Sequence, residues 1–274
     1  MSTTFKGFWQ RRYEHTVRHK CALAHITCGV AALLFAASAI AVECPGAPRT
    51  VVGTVYCDNQ FTLWVNGRKV ATDPVSFTPH QAVRVAFEWN GTSRITYAIQ
   101  CEDYASDSGY EYIESSRPQL GDGALIAEFD DGLGTVTAAD SWRVYSATFG
   151  PTDASLSAGC SPDNLSACVV EDRGIPEEWT EPAFDDTKWE LAAPYSAAAA
   201  GWGRRPTWSS KEGCCTLTSP IDRSNLGCDM SVTENECLIP REEFEKSSAG
   251  FIWAVDLERD NRVLFRYTAK CDGD

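Results

Sequence analysis

From Arg49 onward the apolar residues fall in short runs that alternate with polar ones, and each run ends at Gly, Asn, Asp or Pro. This spacing constrains the fold more than any other feature, because successive side chains of a strand point to opposite faces, whereas a helix needs apolar residues three and four apart. Thr50 to Tyr56 reads as one strand and Gln60 to Val65 as a second. Asn66-Gly67 then supplies a tight turn into Arg68 to Ala71, since Asn and Gly accept the left-handed backbone that such a turn requires. Gln81 to Trp89 sets Val83, Val85 and Phe87 against Arg84 and Glu88, and Asn90-Gly91 predicts a second hairpin that pairs this strand with Arg94 to Cys101. Further strands are expected at Ala124 to Phe129, Trp142 to Thr148, Phe251 to Val255 and Arg262 to Thr268. A helical turn or two is expected at Pro240 to Lys246, where acidic residues suit a helix start. Two stretches without periodicity, Gly150 to Glu181 and Ser209 to Ile239, are rich in Cys, Pro, Ser and Gly and read as long disulfide-pinned loops. The expectation is an all-β chain, one large β-sandwich over residues 43–274 with two Cys-rich insertions.

The cysteines and the N-terminal segment agree on a compartment. Residues 1–42 begin with the basic Lys6, Arg11, Arg12, Arg18 and Lys20, and continue in an uncharged apolar stretch from Cys21 to Val42 that ends in small residues. A signal peptide cleaved near Ala41 is one reading; a signal anchor, which would make a type II single-pass membrane protein, is the other, and the apolar stretch is just long enough for it. In both, the positive charges stay cytoplasmic and everything after Val42 is lumenal or extracellular. The ten later cysteines, Cys44, Cys57, Cys101, Cys160, Cys168, Cys214, Cys215, Cys228, Cys237 and Cys271, form an even set suited to disulfides in an oxidising compartment. No C-x2-C pair speaks for zinc. Cys57 with Cys101 and Cys44 with Cys271 would each join neighbouring strands. Asn90-Gly91-Thr92 and Asn164-Leu165-Ser166 are N-glycosylation sequons, Asn90 standing in the more turn-like context.

Charge narrows the partners. Loss of the leader removes five of the 24 basic residues and one of the 38 acidic ones, leaving 19 against 37, a net charge of −18. Such a surface repels phosphate backbones, so nucleic acid is excluded as a partner, and anionic lipid is disfavoured for the same reason. Histidine chemistry has little material: outside the leader only His80 remains, and no G-x-S-x-G nucleophile elbow is present. Glu128, Asp130, Asp131, Asp185 and Asp186 are the carboxylates available for a glycosidase pair, but no spacing singles out an acid and a base.

Several segments in order resemble the galactose-binding-domain-like jelly rolls, a carbohydrate-binding family. Asp58-Asn59-Gln60-Phe61-Thr62-Leu63-Trp64-Val65-Asn66-Gly67 is similar to its strand and hairpin. Gly123 to Phe129 with Thr137 to Trp142 resembles a later strand and its T-D-x-S-W segment. Phe184-Asp185-Asp186-Thr187-Lys188-Trp189 resembles the family's F-D-D-S-x-W signature, and Ile252 to Arg266 its closing strands. The resemblance implies a jelly-roll sandwich. It implies binding of carbohydrate, protein contacts or a plain structural role. For Phe184 to Trp189 the residues themselves favour structure: the acids suit a turn, and Trp189 suits closure of the sandwich end.

The candidate binding loop is Ala200 to Trp208, where Trp202, Arg204, Arg205 and Trp208 combine pyranose-stacking rings with planar donors in a Gly- and Pro-interrupted stretch. Asp103 and Asp107, in a Gly-containing acidic loop beside Tyr104, Tyr110 and Tyr112, are the candidate ligands of a structural Ca²⁺, against the plainer reading of a polar loop. No other cofactor is expected. The leading expectation is an extracellular carbohydrate-binding or adhesive module that is not an enzyme, with a glycan or extracellular glycoprotein as partner. A structural or assembly subunit of an extracellular coat or filament, forming homo-oligomers, is the alternative; a carboxylate-based glycoside hydrolase or lyase is the third.

Overall fold

The computed structural model describes residues 44–73, 82–91, 94–103, 109–110, 120–152, 159–161, 163–200 and 247–271, with the backbone of 208–210 and 238–240. The strands in chain order are β1 (Arg49–Asp58), β2 (Gln60–Val65), β3 (Arg68–Thr72), β4 (Val83–Trp89), β5 (Ile95–Glu102), β6 (Ala124–Phe129), β7 (Thr135–Val136) and β8 (Arg143–Phe149). They continue as β9 (Glu171–Asp172), β10 (Glu190–Leu191), β11 (Ala193–Tyr195), β12 (Trp208–Ser210), β13 (Leu238–Pro240), β14 (Phe251–Trp253) and β15 (Asp260–Ala269). Two antiparallel sheets form a sandwich: one orders β11-β14-β6-β1-β4 with β7 also on β6, the other β10-β8-β15-β5-β2-β3 with β9 also on β8. β12 and β13 form a separate ribbon. All-β architecture follows from the alternation, as expected.

The Asn66-Gly67 turn joins β2 to β3 with both residues at positive φ, 48° and 79°. Asn66 is held there by the β5 backbone, since its Oδ1 accepts the Thr96 N–H at 2.8 Å. The second expected hairpin is a correction. β4 pairs with β1 in the first sheet and β5 with β2 and β15 in the second, so Asn90-Gly91 turns a corner between sheets. Alternation reports which face of a strand is buried and is blind to whether the next strand pairs with it or faces it across the core. Here they face each other: the Phe87 and Tyr97 rings meet edge to face at 6.2 Å. Gly91 is required for a different reason than hairpin geometry, because a Cβ there would lie 2.1 Å from the Ala47 carbonyl oxygen.

The core between the sheets holds Val51, Val55, Phe61, Leu63, Val85, Phe87, Ile99, Leu125 and Phe265, all at most 1% exposed. Trp142 stacks on Tyr267 at 5.4 Å and donates its indole N–H to the Val136 carbonyl at 2.9 Å. Cys57 on β1 and Cys101 on β5 form a disulfide that ties one sheet to the other, and Cys44 with Cys271 joins the two ends of the sandwich chain. Both pairings were expected. Cys160 and Cys168 close a small loop inside the first Cys-rich insertion.

Each outer sheet face carries a second layer. On the β1/β4/β6 sheet, Tyr56, Ile126 and Phe251 cluster with Ala200 and Ala249, which precede and follow the second Cys-rich stretch in the chain. On the other sheet, Ala98, Ala147 and Leu264 are covered by Trp179 and Trp189, with Trp64, Tyr145 and Phe184 beside them. Trp189 thus covers a sheet face rather than closing a sandwich end.

Candidate functional site

β8 is an edge strand whose outer side is only partly covered. β10 pairs with it at Arg143 and Val144, β9 at Thr148 and Phe149, and the Arg173 N–H bonds the Ala147 carbonyl. Beside Tyr145 and Ser146 the strand borders a cleft of about 550 Å³. Its walls are Val144, Tyr145, Ser146 and Phe149 of β8, Arg173 after β9, Lys188, Trp189 and Glu190 entering β10, and Ala254, Val255, Asp256 and Asp260 between β14 and β15.

The aromatic side of the cleft is braced from behind. Trp189 stacks between Tyr145 at 5.3 Å and Trp179 at 6.3 Å, and the Tyr145 hydroxyl donates to the Arg173 carbonyl at 3.1 Å. The Phe149 ring lies against the guanidinium groups of Arg173 and Arg259, 5.4 and 5.0 Å away. Such contacts fix ring positions by quadrupole attraction as well as by packing.

The acids divide into used and less used groups. Asp256 is bound by Arg259, Nε to Oδ2 at 2.7 Å, and its Oδ1 accepts the N–H groups of Glu258 and Arg259. Asp260 is buried and accepts the Asp256 N–H at 2.9 Å. Burial pushes the Asp260 carboxyl above the ordinary aspartate range and the charge of Asp256 adds to that, while the Ser146 hydroxyl and the Asp256 N–H work the other way. Arg173 is paired with Glu171 at 3.1 Å, which holds the Glu171 carboxyl below its usual range. Lys188 and Glu190 are exposed, and neither has an ion-pair partner among the described residues.

A second depression, about 500 Å³, lies on the outer face of the first sheet, where Arg84, Thr54 and Glu128 stand in register across β4, β1 and β6. Of the carboxylates considered from sequence, Glu128 lines this depression, and Asp130 pairs with Arg49 at 3.6 Å. Asp131 is fully buried, taking the Tyr97 hydroxyl at 2.8 Å and the Leu133 N–H at 2.8 Å. Asp185 caps Thr187, accepting its N–H and hydroxyl, and Asp186 meets Arg266. These are turn and latch roles.

Trp202, Arg204 and Arg205 lie outside the described residues, as do Asp107, His80, Cys214, Cys215, Cys228, Cys237, the leader and the expected helical turn beyond Pro240. Trp208 opens β12. Asp103 is fully buried at the end of β5, with its N–H on the Asn261 carbonyl and Gly121 packed against its carboxylate, while the neighbouring Glu102 is paired with Arg262 at 3.2 Å. Among the described residues no group of three or more His, Cys, Asp or Glu is placed to hold a metal ion. Asn90 and Asn164 are exposed, and the Ser166 hydroxyl donates to Asn164 Oδ1 at 2.9 Å. No helix among the described residues is long and apolar enough to cross a membrane.

The cleft was missed from sequence because its parts come from four separated segments. One signal was present: Trp189 closes the Phe184-to-Trp189 motif, and the residues on either side of it reach the cleft.

Fold and cleft together define a disulfide-bonded antiparallel β-sandwich with a ligand-sized opening on one edge. No family model matches the chain, and no curated protein or solved structure matches it.

Proposed function

We propose that this is a secreted, extracellular carbohydrate-binding or adhesive module of galactose-binding-like jelly-roll type, which takes a glycan in the cleft beside β8. The observation that carries the reading is the composition of that cleft: the Tyr145 ring, braced from behind by the buried Trp189, borders a hydroxyl and several charged groups in a volume of about 550 Å³. Sugars present just such a mixture, an apolar ring face edged by hydroxyls that both donate and accept. The loop carrying Trp202, Arg204, Arg205 and Trp208 is a second part of the proposed binding surface, Asp103 and Asp107 belong to a proposed structural Ca²⁺ site, and Asn90 and Asn164 are proposed glycosylation sites.

Binding is preferred to hydrolysis on geometry. Asp260 is buried and spends its carboxylate on the Asp256 N–H and the Ser146 hydroxyl, while Glu190 is exposed at the rim opposite Val144. Asp256 is nearer to Asp260 but is held by Arg259. One observation favours the alternative of an assembly subunit. Val169, Ile175, Leu191 and Val255 are 40, 43, 48 and 70% exposed, on segments flanking the same edge, as a protein contact would want.

A glycan array probed with the oxidised chain tests the first reading. Bound glycans should be lost with Glu190→Ala and retained with a remote Lys69→Ala. Absence of glycan binding, together with a concentration-dependent oligomer that Leu191→Asp dissociates, would establish the second.

A further inference from the structure

Resting on the secreted, glycosylated reading, we infer that closure of the Cys160–Cys168 disulfide and N-glycosylation of Asn164 compete, so that Asn164 takes a glycan only in chains whose Cys160–Cys168 loop is still open. The sequon Asn164-Leu165-Ser166 lies inside that loop, whose two cysteines are eight residues apart. Folding of the loop uses up the groups that make a sequon an acceptor. The Asn164 amide nitrogen donates to the Gly159 carbonyl at 3.1 Å, and its Oδ1 accepts the Ser166 hydroxyl at 2.9 Å. The backbone is wound as well: the Asn164 N–H bonds the Ser161 carbonyl, the Ala167 N–H bonds the Asn164 carbonyl, and Leu165–Ala167 form a 3-10 turn. Exposure alone would leave Asn164 open to an enzyme. The restraint comes from the loop.

Transfer forms a bond from Asn164 Nδ2 to the anomeric carbon of a lipid-linked oligosaccharide. The bond from that carbon to the lipid pyrophosphate breaks, the pyrophosphate leaves with the electron pair, and the amide nitrogen gives up one of its two protons. An amide nitrogen is a poor nucleophile while its lone pair is conjugated with the carbonyl, so the enzyme must turn the group about its C–N bond. In the closed loop the nitrogen and the oxygen are tied to different residues, which opposes that turn, and the Ser166 hydroxyl that the sequon presents is already spent on Oδ1. Timing sets the two reactions against each other. Cys168 follows Asn164 by four residues, so both become available within about a second of each other during synthesis. Disulfide formation takes seconds or longer, which leaves a window in which some chains are modified first.

The test is glycopeptide mass spectrometry of the full chain expressed in a eukaryotic secretory cell, on the secreted and the retained pools. Asn164 should be occupied in a minority of wild-type chains. Cys160→Ser/Cys168→Ser, which leaves the sequon intact, should raise that occupancy about threefold by removing the competing closure. Asn90, outside this loop, should keep its occupancy. Dithiothreitol present during synthesis should raise Asn164 occupancy in the wild type and leave it unchanged in the double variant. Equal Asn164 occupancy in wild type and double variant, whether high or zero, overturns the competition and leaves the glycosylation reading standing wherever either asparagine carries a glycan. No glycan on either asparagine overturns both.

Discussion

Arg266 leaves the middle of β15 with its side chain 1% exposed, and its guanidinium meets the Asp186 carboxylate at 2.9 Å, the carbonyls of Trp179 and Glu181, and the Phe184 ring. One buried cation thus satisfies three acceptors of the segment that covers the outer face of its sheet. Lysine offers a point charge in place of the planar fork, so Arg266→Lys should cost about 2–3 kcal/mol of unfolding free energy in urea titration, and Arg266→Met should cost more, about 3–5 kcal/mol, because it strands the Asp186 carboxylate and the two carbonyls. If Met costs no more than Lys, packing of the side chain rather than its charge is what stabilises. Asp260 gives a pH-dependent case. Its carboxyl titrates above the ordinary aspartate range when folded, because burial disfavours its charge and Asp256 repels it. The folded chain therefore keeps a proton that the unfolded chain gives up, and stability falls as pH rises from the ordinary aspartate range to the raised folded value, then stays at the lower level. Asp260→Asn lacks this penalty. Thermal unfolding of the two proteins across mildly acidic pH should show the difference moving in favour of the variant as pH rises; a difference that moves the other way shows that ionised Asp260 is the stabilised form.

Among the elements, the β2–β3 hairpin and the covering segment of residues 174–189 depend on each other. A Cβ on Gly67 would sit 2.4 Å from the Glu181 carboxylate, and the residue holds φ 79°. Gly67→Ala should therefore lose about 1–3 kcal/mol from the backbone alone, and should also increase hydrogen exchange at Glu181 and Phe184, which a purely local turn defect would leave unchanged. Strand positions were largely legible in the sequence: Gln60–Val65 and Ala124–Phe129 fall where the alternation puts them, and Asn66-Gly67 makes its hairpin. Pairing partners were less so. Phe87 and Tyr97 alternate as hairpin neighbours would, yet they are packed across the core, because burial of one face is all that alternation encodes. Short strands carry weaker signals still. β9 and β10 have two residues each, too few for a period, and they flank the cleft, with Arg173 directly after β9 and Glu190 in β10. A site assembled from Tyr145, Arg173, Trp189 and Asp260 has no local spacing to read, and the clustered Trp and Arg of residues 202–208 drew attention elsewhere because clustering in sequence is visible and convergence in space is not.

At the scale of the molecule, the two long-range disulfides stabilise by different routes, and this can be measured. Cys44 and Cys271 are 227 residues apart, and Cys57 and Cys101 are 44 apart. Closing the longer loop restricts the unfolded chain more, by about 5 against about 4 kcal/mol in the chain-entropy account. Burial reverses that order. Cys57 and Cys101 are 1% and 0% exposed in the core between the sheets, so replacing them leaves an internal gap, adding on the order of 1–2 kcal/mol. Cys44 is only half-buried, at the start of a segment still held by the Gly46 N–H on the Gly91 carbonyl, and its buried partner Cys271 keeps most of its volume as serine, so little of the core is emptied. The double variant Cys57→Ala/Cys101→Ala should thus be at least as destabilised as Cys44→Ser/Cys271→Ser, although its loop is shorter. Xenon or another small apolar probe should recover part of the first loss and less of the second. Equal responses to the probe would mean that neither pair fills space in the core, leaving loop length to set the order, with the Cys44–Cys271 variant then the less stable of the two.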